Sequence, residues 1–592
     1  MTDQATPNTH ATTPEALRTG GGFIDPTFAS QVGETLPSFA TPDATWTEIK
    51  RNASRTVYYG HVGGETIYLK HFHSRSLIRH HLGRIGVGGA KREFTFSQFL
   101  SENGITVPKV LAASWSACGQ WVATRAVAPA QPLDEWHAEK AMEADALSDV
   151  RRATLKLADL VGKMHAAGVV HGDLHCGNVL VRTDTDNLEM VLTDLHRASK
   201  RSHLSRRQKA MNLAQLFHDR YHLTGRTDRL RFLKRYLASS GATESLRGWQ
   251  LLVENFSHRH TRSQHRQRDR RILGTNKYFQ RYSGPSGWRG HWVLSSKRQM
   301  ADSRAATMDF TPEQWTTLLG DDPMRLLEGP DVKVVKDSRS SLVVRRTIQM
   351  GDQSLEVFIK CARRKHWWKA IVNCFRPSRA LRAFRLGHAL LTRRIATALP
   401  LAAIERRVGP ILEENLLITE ALDSPRLDGF LMTWLAETPV RNDLDAGQQR
   451  QLGTMVLYQM GRLLQQLHDN GFAHRDLKAS NLFVHWDQSH RPQLVLIDLD
   501  GLRQVRRITT RQRFQGLMRL NVSLLQCPAV NYSGQLRMLL GYLRRPGSGR
   551  IRFKPYWRVL ERWSARKLQQ QLKNRQARQR LQRQQLARSA QA

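Results

Sequence analysis

From Trp46 onward the chain alternates between two kinds of pattern. WTEIKRNASRTVYYGHVGGETIYLKHF (46–72) holds short runs of β-branched and aromatic residues broken by Gly63-Gly64. Such side chains suit a pleated surface and paired glycines suit a hairpin turn, so three strands are expected, with Lys70 ending the third. From Glu93, EFTFSQFLSENGI changes to helical spacing and is stopped by Gly104. Short strands follow around VPKVLAAS and QWVATRAV. DVRRATLKLADLVGKMHAA (149–167) then places Leu155, Leu160, Val161 and Met164 on one side of a helix that Gly168 ends. Residues 201–256 continue as basic helices. Strands come first and helices after.

The pattern then starts again. KDSRSSLVVRRTIQMGDQSLEVFIK ends at Lys360, as the earlier strands ended at Lys70. The basic stretch HSRSLIRHHLGRIGVGGAKR has its counterpart in RRKHWWKAIVNCFRPSR. A helix LRAFRLGHALLTRR, strands around PLAAI and NLLITEAL, and a helix MVLYQMGRLLQQLHDNG follow in the same order. A steady order and spacing of this kind means tandem duplication. Around the two copies, residues 1–42 are rich in Thr, Pro, Gly and Ser and are expected to be disordered. The expected layout is a first domain over 43–256, a basic linker over 257–325, a second domain over 326–548, and a basic Gln/Arg-rich helix or tail over 549–592.

Composition adds an electrostatic constraint. Over 592 residues, 91 Lys and Arg against 51 Asp and Glu give a net charge of +40. That favours an anionic partner and says nothing about fold. The five cysteines are scattered without C-x-x-C pairs, against a disulfide framework or a structural zinc site and in keeping with a reducing compartment. The first residues carry no secretory pattern, and no apolar run is long enough to span a bilayer. A cytoplasmic protein is expected.

The chemistry lies between the strand-rich and helical parts of each copy. HGDLHCGN (171–178) is followed by TDLHRA with Asp194, and HRDLKASN (474–481) by IDLDGLR with Asp498. The offset between copies is 290 residues at the lysines, 303 at the H-x-D and 304 at the second Asp. One carboxylate at an acceptor hydroxyl, with an Asn and a second Asp for cations bridging ATP phosphates, is what phosphoryl transfer requires. Asp173 and Asp476 are the candidate catalytic carboxylates. Asn178, Asp194, Asn481 and Asp498 are the candidate metal ligands, and Lys70 and Lys360 the candidate phosphate lysines. Glu93 is placed to pair with Lys70, but Ala383 stands at the aligned position of the second copy. Either another acid substitutes there or the second site is slower or degenerate. His171 and His474 are read as braces of the loop rather than proton carriers. Cys176 is read as a small loop filler. Neither copy has a G-x-G-x-x-G loop. Ser54, Arg55 and residues 338–341 occupy the first turn instead, where backbone N–H groups are available to phosphates. The fold class is α+β, two tandem bilobal protein-kinase-like domains.

With S-R-T-V-Y…Y-L-K, H-G/R-D and TDLHRA or IDLDGLR in place of D-F-G, the chain resembles two tandem members of the bacterial lipopolysaccharide kinase family (Kdo/WaaP type), over roughly 46–240 and 330–545. The resemblance implies ATP- and Mg²⁺-dependent phosphorylation of a heptose or Kdo hydroxyl of the lipopolysaccharide core at the cytoplasmic face of the inner membrane. It implies the roles given above for Asp173, Asp476, the lysines, the asparagines and the second aspartates. Ala383, and Arg125 where the second copy has Glu420, are departures between the copies. A protein kinase, or one active domain beside a pseudokinase scaffold, is the alternative; if one site alone works, Asp173 is favoured. Trp367 and Trp368 among basic residues suit an anionic membrane surface. A solvated charged face is the plainer alternative, and no nucleic-acid module is recognisable.

Overall fold

The computed structural model describes residues 17, 21–32, 37–52, 54–73, 88–116, 119–140, 143, 146–183, 188–218, 225–241, 244–295, 307–363, 376–433, 445–486, 491–527, 530–545 and 551–591. It divides into two compact units, Met1–Ser263 and Gln264–Ala592.

The first unit opens with β1 (Gly22–Ile24), α1 (Pro26–Val32) and α2 (Pro37–Ala40). β2 (Thr47–Arg51), β3 (Arg55–Val62) and β4 (Glu65–Phe72) are the expected three strands, and Gly63 and Gly64 turn the hairpin with φ of 59° and 79°. Positive φ at two consecutive turn residues strongly favours glycine. Helix α3 (Gly89–Glu102) is followed by β5 (Val110–Ser116) and β6 (Gly119–Arg125), completing an antiparallel sheet in the order β1-β5-β6-β4-β3-β2. Lys70 lies opposite Val57 on β3 and Val122 on β6, so it sits on a central strand.

The helical part holds β7 (Ala130–Pro132), α4 (Leu133–Lys140), α5 (Leu147–Ala166), β8 (Val169–Val170), β9 (Val179–Arg182), β10 (Glu189–Leu192), β11 (Ser199–Lys200), α6 (Arg206–His218), α7 (Arg226–Ser239) and α8 (Leu246–Arg271). In α5, Leu160, Val161 and Met164 are buried as expected, whereas Leu155 is 38% exposed and Ala158 faces the core.

The second unit has a seven-stranded sheet. β12 (Phe279–Ser283), β13 (Trp288–Val293), α9 (Pro312–Leu319), β14 (Lys333–Ser338), β15 (Ser341–Met350), β16 (Gln353–Ala362), α10 (Arg379–Thr392), β17 (Pro400–Val408) and β18 (Ile411–Glu420) lead into it. The order is β12-β13-β17-β18-β16-β15-β14, with Lys360 opposite Val343 and Leu417. Then come α11 (Leu427–Thr433), α12 (Ala446–Asp469), β19 (Phe472–His474), β20 (Leu482–Trp486), β21 (Pro492–Leu496), β22 (Leu502–Gln504), α13 (Thr510–Leu525), α14 (Tyr532–Leu543) and α15 (Lys554–Gln591). The α+β order of sheet then helices holds in both units.

One joint is built twice. In the first unit α5 meets α7 at Gly162, where a Cβ would stand 2.7 Å from Ser239 Cβ. Buried His165 and Tyr236 share a hydrogen bond of 2.7 Å between Nδ1 and the phenol. In the second unit α12 meets α14 at Gly461, where a Cβ would stand 1.9 Å from the Met538 carbonyl oxygen, and His468 and Tyr542 share the corresponding 3.0 Å bond.

Two flanking expectations are revised, and the third, a C-terminal helix or tail, takes the form of a helix. Within residues 1–42, expected to be disordered, Leu17, Phe28, Val32 and Phe39 are buried with Trp46 and Trp121 in one cluster. Apolar residues spread thinly among Thr, Pro and Gly show no period but still fill one core, with Phe39 edge-on to Trp121 at 5.5 Å. Residues 257–325 are not a linker where described. α8 runs to Arg271, and β12 and β13 extend the second sheet, with Trp288, Trp292 and Trp315 buried. Asp269 belongs to this unit, paired through both oxygens at 2.8 Å with Arg393. The C-terminal segment is helix α15, anchored by buried Leu560, while Leu572 and Leu581 are exposed. Among the described residues no helix is long and apolar enough to cross a membrane.

Candidate active site

In the first unit β8 delivers the chain into the H-x-D loop. His171 Nδ1 accepts the Asp173 backbone N–H at 3.1 Å, and Nε2 lies 2.9 Å from the Thr193 carbonyl oxygen. Burial pushes this imidazole's pKa down, against the carbonyl and the two nearby carboxylates. A neutral ring accepting at Nδ1 and donating from Nε2 satisfies both contacts, so His171 is a brace. Asn178 donates from Nδ2 to the Asp173 carbonyl oxygen at 2.9 Å, locking the loop across five residues. The Asp173 carboxylate itself is half-exposed, 3.5 Å from Arg197.

Sheet and helix meet this loop through charges. Lys70 on β4 pairs with buried Glu93 on α3, whose Oε2 has no hydrogen-bond partner among the described residues. Arg55, at the start of β3, donates to both oxygens of Asp194, the second contact at 2.7 Å, and His196 Nδ1 lies 2.7 Å from the same carboxylate. Asp194 adopts φ 67°. Burial alone would raise its pKa; hydrogen bonds from His196 and Arg55 and the charge of Lys70 outweigh this and hold the carboxyl well below the usual range. Glu93, Asp194 and His196 bring three ligand-type atoms within 4.8 Å of one another.

The second unit repeats the brace with one shift. His474 Nδ1 accepts the Asp476 N–H at 3.2 Å, and Asn481 Nδ2 donates to the Asp476 carbonyl at 2.8 Å. His474 Nε2, however, meets the carbonyl of Asp498 itself at 2.8 Å, one residue later than in the first copy. Asp498 is not among the residues at positive φ, so the two loops take different backbone paths. The Asp476 carboxylate is exposed, 3.3 Å from Lys478, and Arg519 donates to the His474 carbonyl at 3.3 Å. Lys360 Nζ lies 2.7 Å from Asp500 and 3.6 Å from Asp498. Ala383 is buried in α10 and offers it nothing. Ser341 takes the register position of Arg55, two residues before the partner of the lysine in each sheet.

The HGD/HRD difference has a local cause. A Cβ at Gly172 would stand 2.4 Å from the Arg197 carbonyl oxygen, whereas Arg475 donates its N–H to the Gly501 carbonyl at 3.0 Å. Of the turn N–H groups expected to be available to phosphates, those of Ser54, Arg55 and Ser341 are already used within the turns. Asn52 Oδ1 accepts from Ser54 and Arg55 at 2.9 Å, and Ser338 Oγ accepts from Ser341 at 3.2 Å. Cys176 is buried, in keeping with a filler. Trp367, Trp368 and the basic stretch 74–87 lie outside the described residues.

The model of the lipopolysaccharide kinase (Kdo/WaaP) family matches residues 38–236 and 335–538. The chain belongs to that family. It carries the family's domain twice, in agreement with the tandem reading. Among curated relatives of this Kdo/WaaP chain, the lipopolysaccharide core heptose(I) kinase WaaP of Pseudomonas aeruginosa is 28% identical over 166 residues, covering 26% of this chain and 61% of that protein. The WaaP of Escherichia coli K12 is 27% identical over 164 residues, covering 26% and 62%. The match thus spans less than two thirds of either relative. Among solved structures, WaaP in complex with acyl carrier protein aligns at 21% identity and a TM-score of 0.33, covering 40% of this chain and 98% of that one. The kinase domain of Mycobacterium tuberculosis PknI aligns at 15% identity and a TM-score of 0.23, covering 37% and 98%.

In both family domains the candidate residues converge: Lys70, Glu93, Asp194 and Asn178 around the first loop, Lys360, Asp498 and Asn481 around the second. The side-chain roles of Arg55, His196 and Asp500 escaped the sequence reading, which singles out Arg55 for its backbone N–H alone. The two acids in IDLD, set two apart, were the available signal for Asp500. Nothing local marked the role of the Arg55 side chain, because its partner is 139 residues away.

Proposed function

We propose that this chain is an ATP-dependent phosphotransferase acting on a sugar hydroxyl, heptose or Kdo, of the lipopolysaccharide core, at the cytoplasmic face of the inner membrane. The observation that carries the reading is the loop built twice, in which His braces the Asp backbone and Asn closes on the Asp carbonyl. That arrangement fixes a carboxylate at the loop tip, where Asp173 or Asp476 would orient the acceptor hydroxyl and accept its proton. Lys70 and Lys360 would hold the nucleotide phosphates, with Glu93 steadying Lys70.

The donor set suits Mg²⁺, since asparagine and aspartate offer hard oxygens, and Asn178 and Asn481 each spend the amide nitrogen on the loop and keep the amide oxygen as acceptor. Glu93 Oε2, without a hydrogen-bond partner among the described residues, adds a further oxygen to the first site. Asn178, Asp194, Asn481 and Asp498 would hold the ion, which when bound neutralises phosphate charge. An anionic membrane surface is the proposed site of action, in keeping with the charge of +40.

The alternative of one active domain beside a scaffold has support on both sides. The Lys70–Glu93 pair favours the first site. The open carboxylate of Asp498, 38% exposed against 11% for Asp194, favours the second. Asp173→Asn and Asp476→Asn variants, assayed separately with ATP and lipopolysaccharide core and read by mass of the product, test the proposal. Loss of phosphorylation in either is expected; full activity in both and in the double variant would overturn it.

A further inference from the structure

We propose that Asp500 is the positioning residue of the second site, holding Lys360 for the nucleotide phosphates in place of the helix glutamate that the first site supplies as Glu93. The inference rests on the reading of Lys360 as a phosphate lysine.

The first support is what α10 lacks. Its sequence, RALRAFRLGHALLT, contains no acidic residue, so no side chain of this helix can form the ion pair that Glu93 forms from α3. The second is where the carboxylate has gone. Asp500 lies 2.7 Å from Lys360 Nζ, nearer than Asp498 at 3.6 Å. The third is the exchange itself. Position 500 follows Asp498 by two residues as His196 follows Asp194, so the first unit has Glu on the helix and His on the loop, and the second has Ala on the helix and Asp on the loop. Two carboxylates gather near the lysine in each unit, delivered by different elements.

The change in delivery alters what the lysine is tied to. In the first unit Lys70 is placed by a helix, and Asp194 is separately held by Arg55. In the second, Ser341 replaces Arg55, and the Asp500 N–H donates to Asp498 Oδ1 at 3.1 Å. One short loop therefore sets both Lys360 and Asp498. A half-exposed ion pair contributes little to stability, so a role for Asp500 should register in the state of Lys360 rather than in folding.

Lysine acylation of the full chain, read peptide by peptide with and without Mg·ATP, reports each lysine separately. In the unsubstituted chain ATP is expected to protect both Lys70 and Lys360. In Asp500→Asn, Lys360 should label severalfold faster without ATP, and half-protection should require about tenfold more ATP, about 1.4 kcal/mol. Lys70, in the other unit, should be unchanged, and an unchanged urea midpoint of the second unit in Asp500→Asn serves as the folding control. Asp500→Glu should restore most of the protection, and so should Ala383→Glu added to Asp500→His, which rebuilds the first unit's arrangement. If ATP protects Lys360 equally in Asp500→Asn and the unsubstituted chain, Asp500 has no positioning role, while the nucleotide reading stands. If ATP fails to protect Lys360 even in the unsubstituted chain, the nucleotide reading of the second site falls, and this inference with it.

Discussion

Replacing Arg55 by alanine separates two demands on Asp194. The guanidinium gives both carboxylate oxygens a hydrogen bond, and both side chains are nearly buried. A cation coordinated by Asp194 must take over at least one of these bonds. Hydrogen bonds to charged groups contribute about 1.5–3 kcal/mol net, so Arg55→Ala should tighten Mg²⁺ binding at the first site by about ten- to a hundredfold. Calorimetric titration of the full chain with MgCl₂, without nucleotide and in an Asp498→Asn background, measures this site alone. The same change should alter acid behaviour. The folded pKa of Asp194 is depressed, so its stabilising contribution is full above the ordinary carboxylate value of about 3.9 and is lost as pH falls below it. Without Arg55 the depression shrinks. The variant should be less stable at neutral pH and lose less on going from pH 5 to pH 3. A folded Arg55→Ala protein whose Mg²⁺ affinity is unchanged or weaker would refute the competition between guanidinium and metal.

Two further outcomes concern the scaffold. Burial pulls the pKa of His71 and His165 down to about 4 and that of His388 and His468 to about 3. Unfolded histidine titrates near 6.5, so the unfolded chain binds more protons and stability must fall as pH drops below that value; at pH 5 each buried histidine should cost about 2 kcal/mol. Urea midpoints at pH 7.5, 6 and 5 check this, and a flat profile would contradict it. Gly461→Ala should destabilise the second unit by about 3 kcal/mol, because its methyl would meet the Met538 carbonyl at 1.9 Å and force α12 from α14. Gly162→Ala, which meets Ser239 Cβ at 2.7 Å but no backbone atom nearer than 3.4 Å, should cost less when the two variants are compared by thermal melts.

The duplicated frame was legible because local patterns carried it. Gly63-Gly64 announced the hairpin, Gly104 and Gly168 the helix ends, and the recurring H-x-D spacing the two loops. Patterns without a period were not. Phe28, Phe39 and Leu17 sit singly among turn-forming residues, and only the sheet they cover makes them a core. Trp288 and Trp292 are hidden among arginines and histidines, because dense charge reads as linker while all of β13 except Arg289 is buried. Pairings across long separations are hidden for another reason. Lys70–Glu93 spans 23 residues from one strand to the next helix and could be anticipated, whereas Arg55–Asp194 and Lys360–Asp500 depend on how sheet and loop close. Ala383 left open whether another acid takes the place of the glutamate or the second site is slower. Only the folded chain shows the replacement arriving from the loop.

The same exchange bears on selective inhibition. A nucleotide-like compound that donates a hydrogen bond to Glu93 meets a buried methyl at Ala383 in the other copy, and a group shaped to accept from Arg55 meets the short hydroxyl of Ser341. One molecule fitted to the first site's carboxylate and guanidinium therefore forfeits both contacts in the second. On the proposed reading of both sites, such a compound is expected to occupy the first copy and spare the second, which gives chemistry a way to ask what each contributes inside an intact chain.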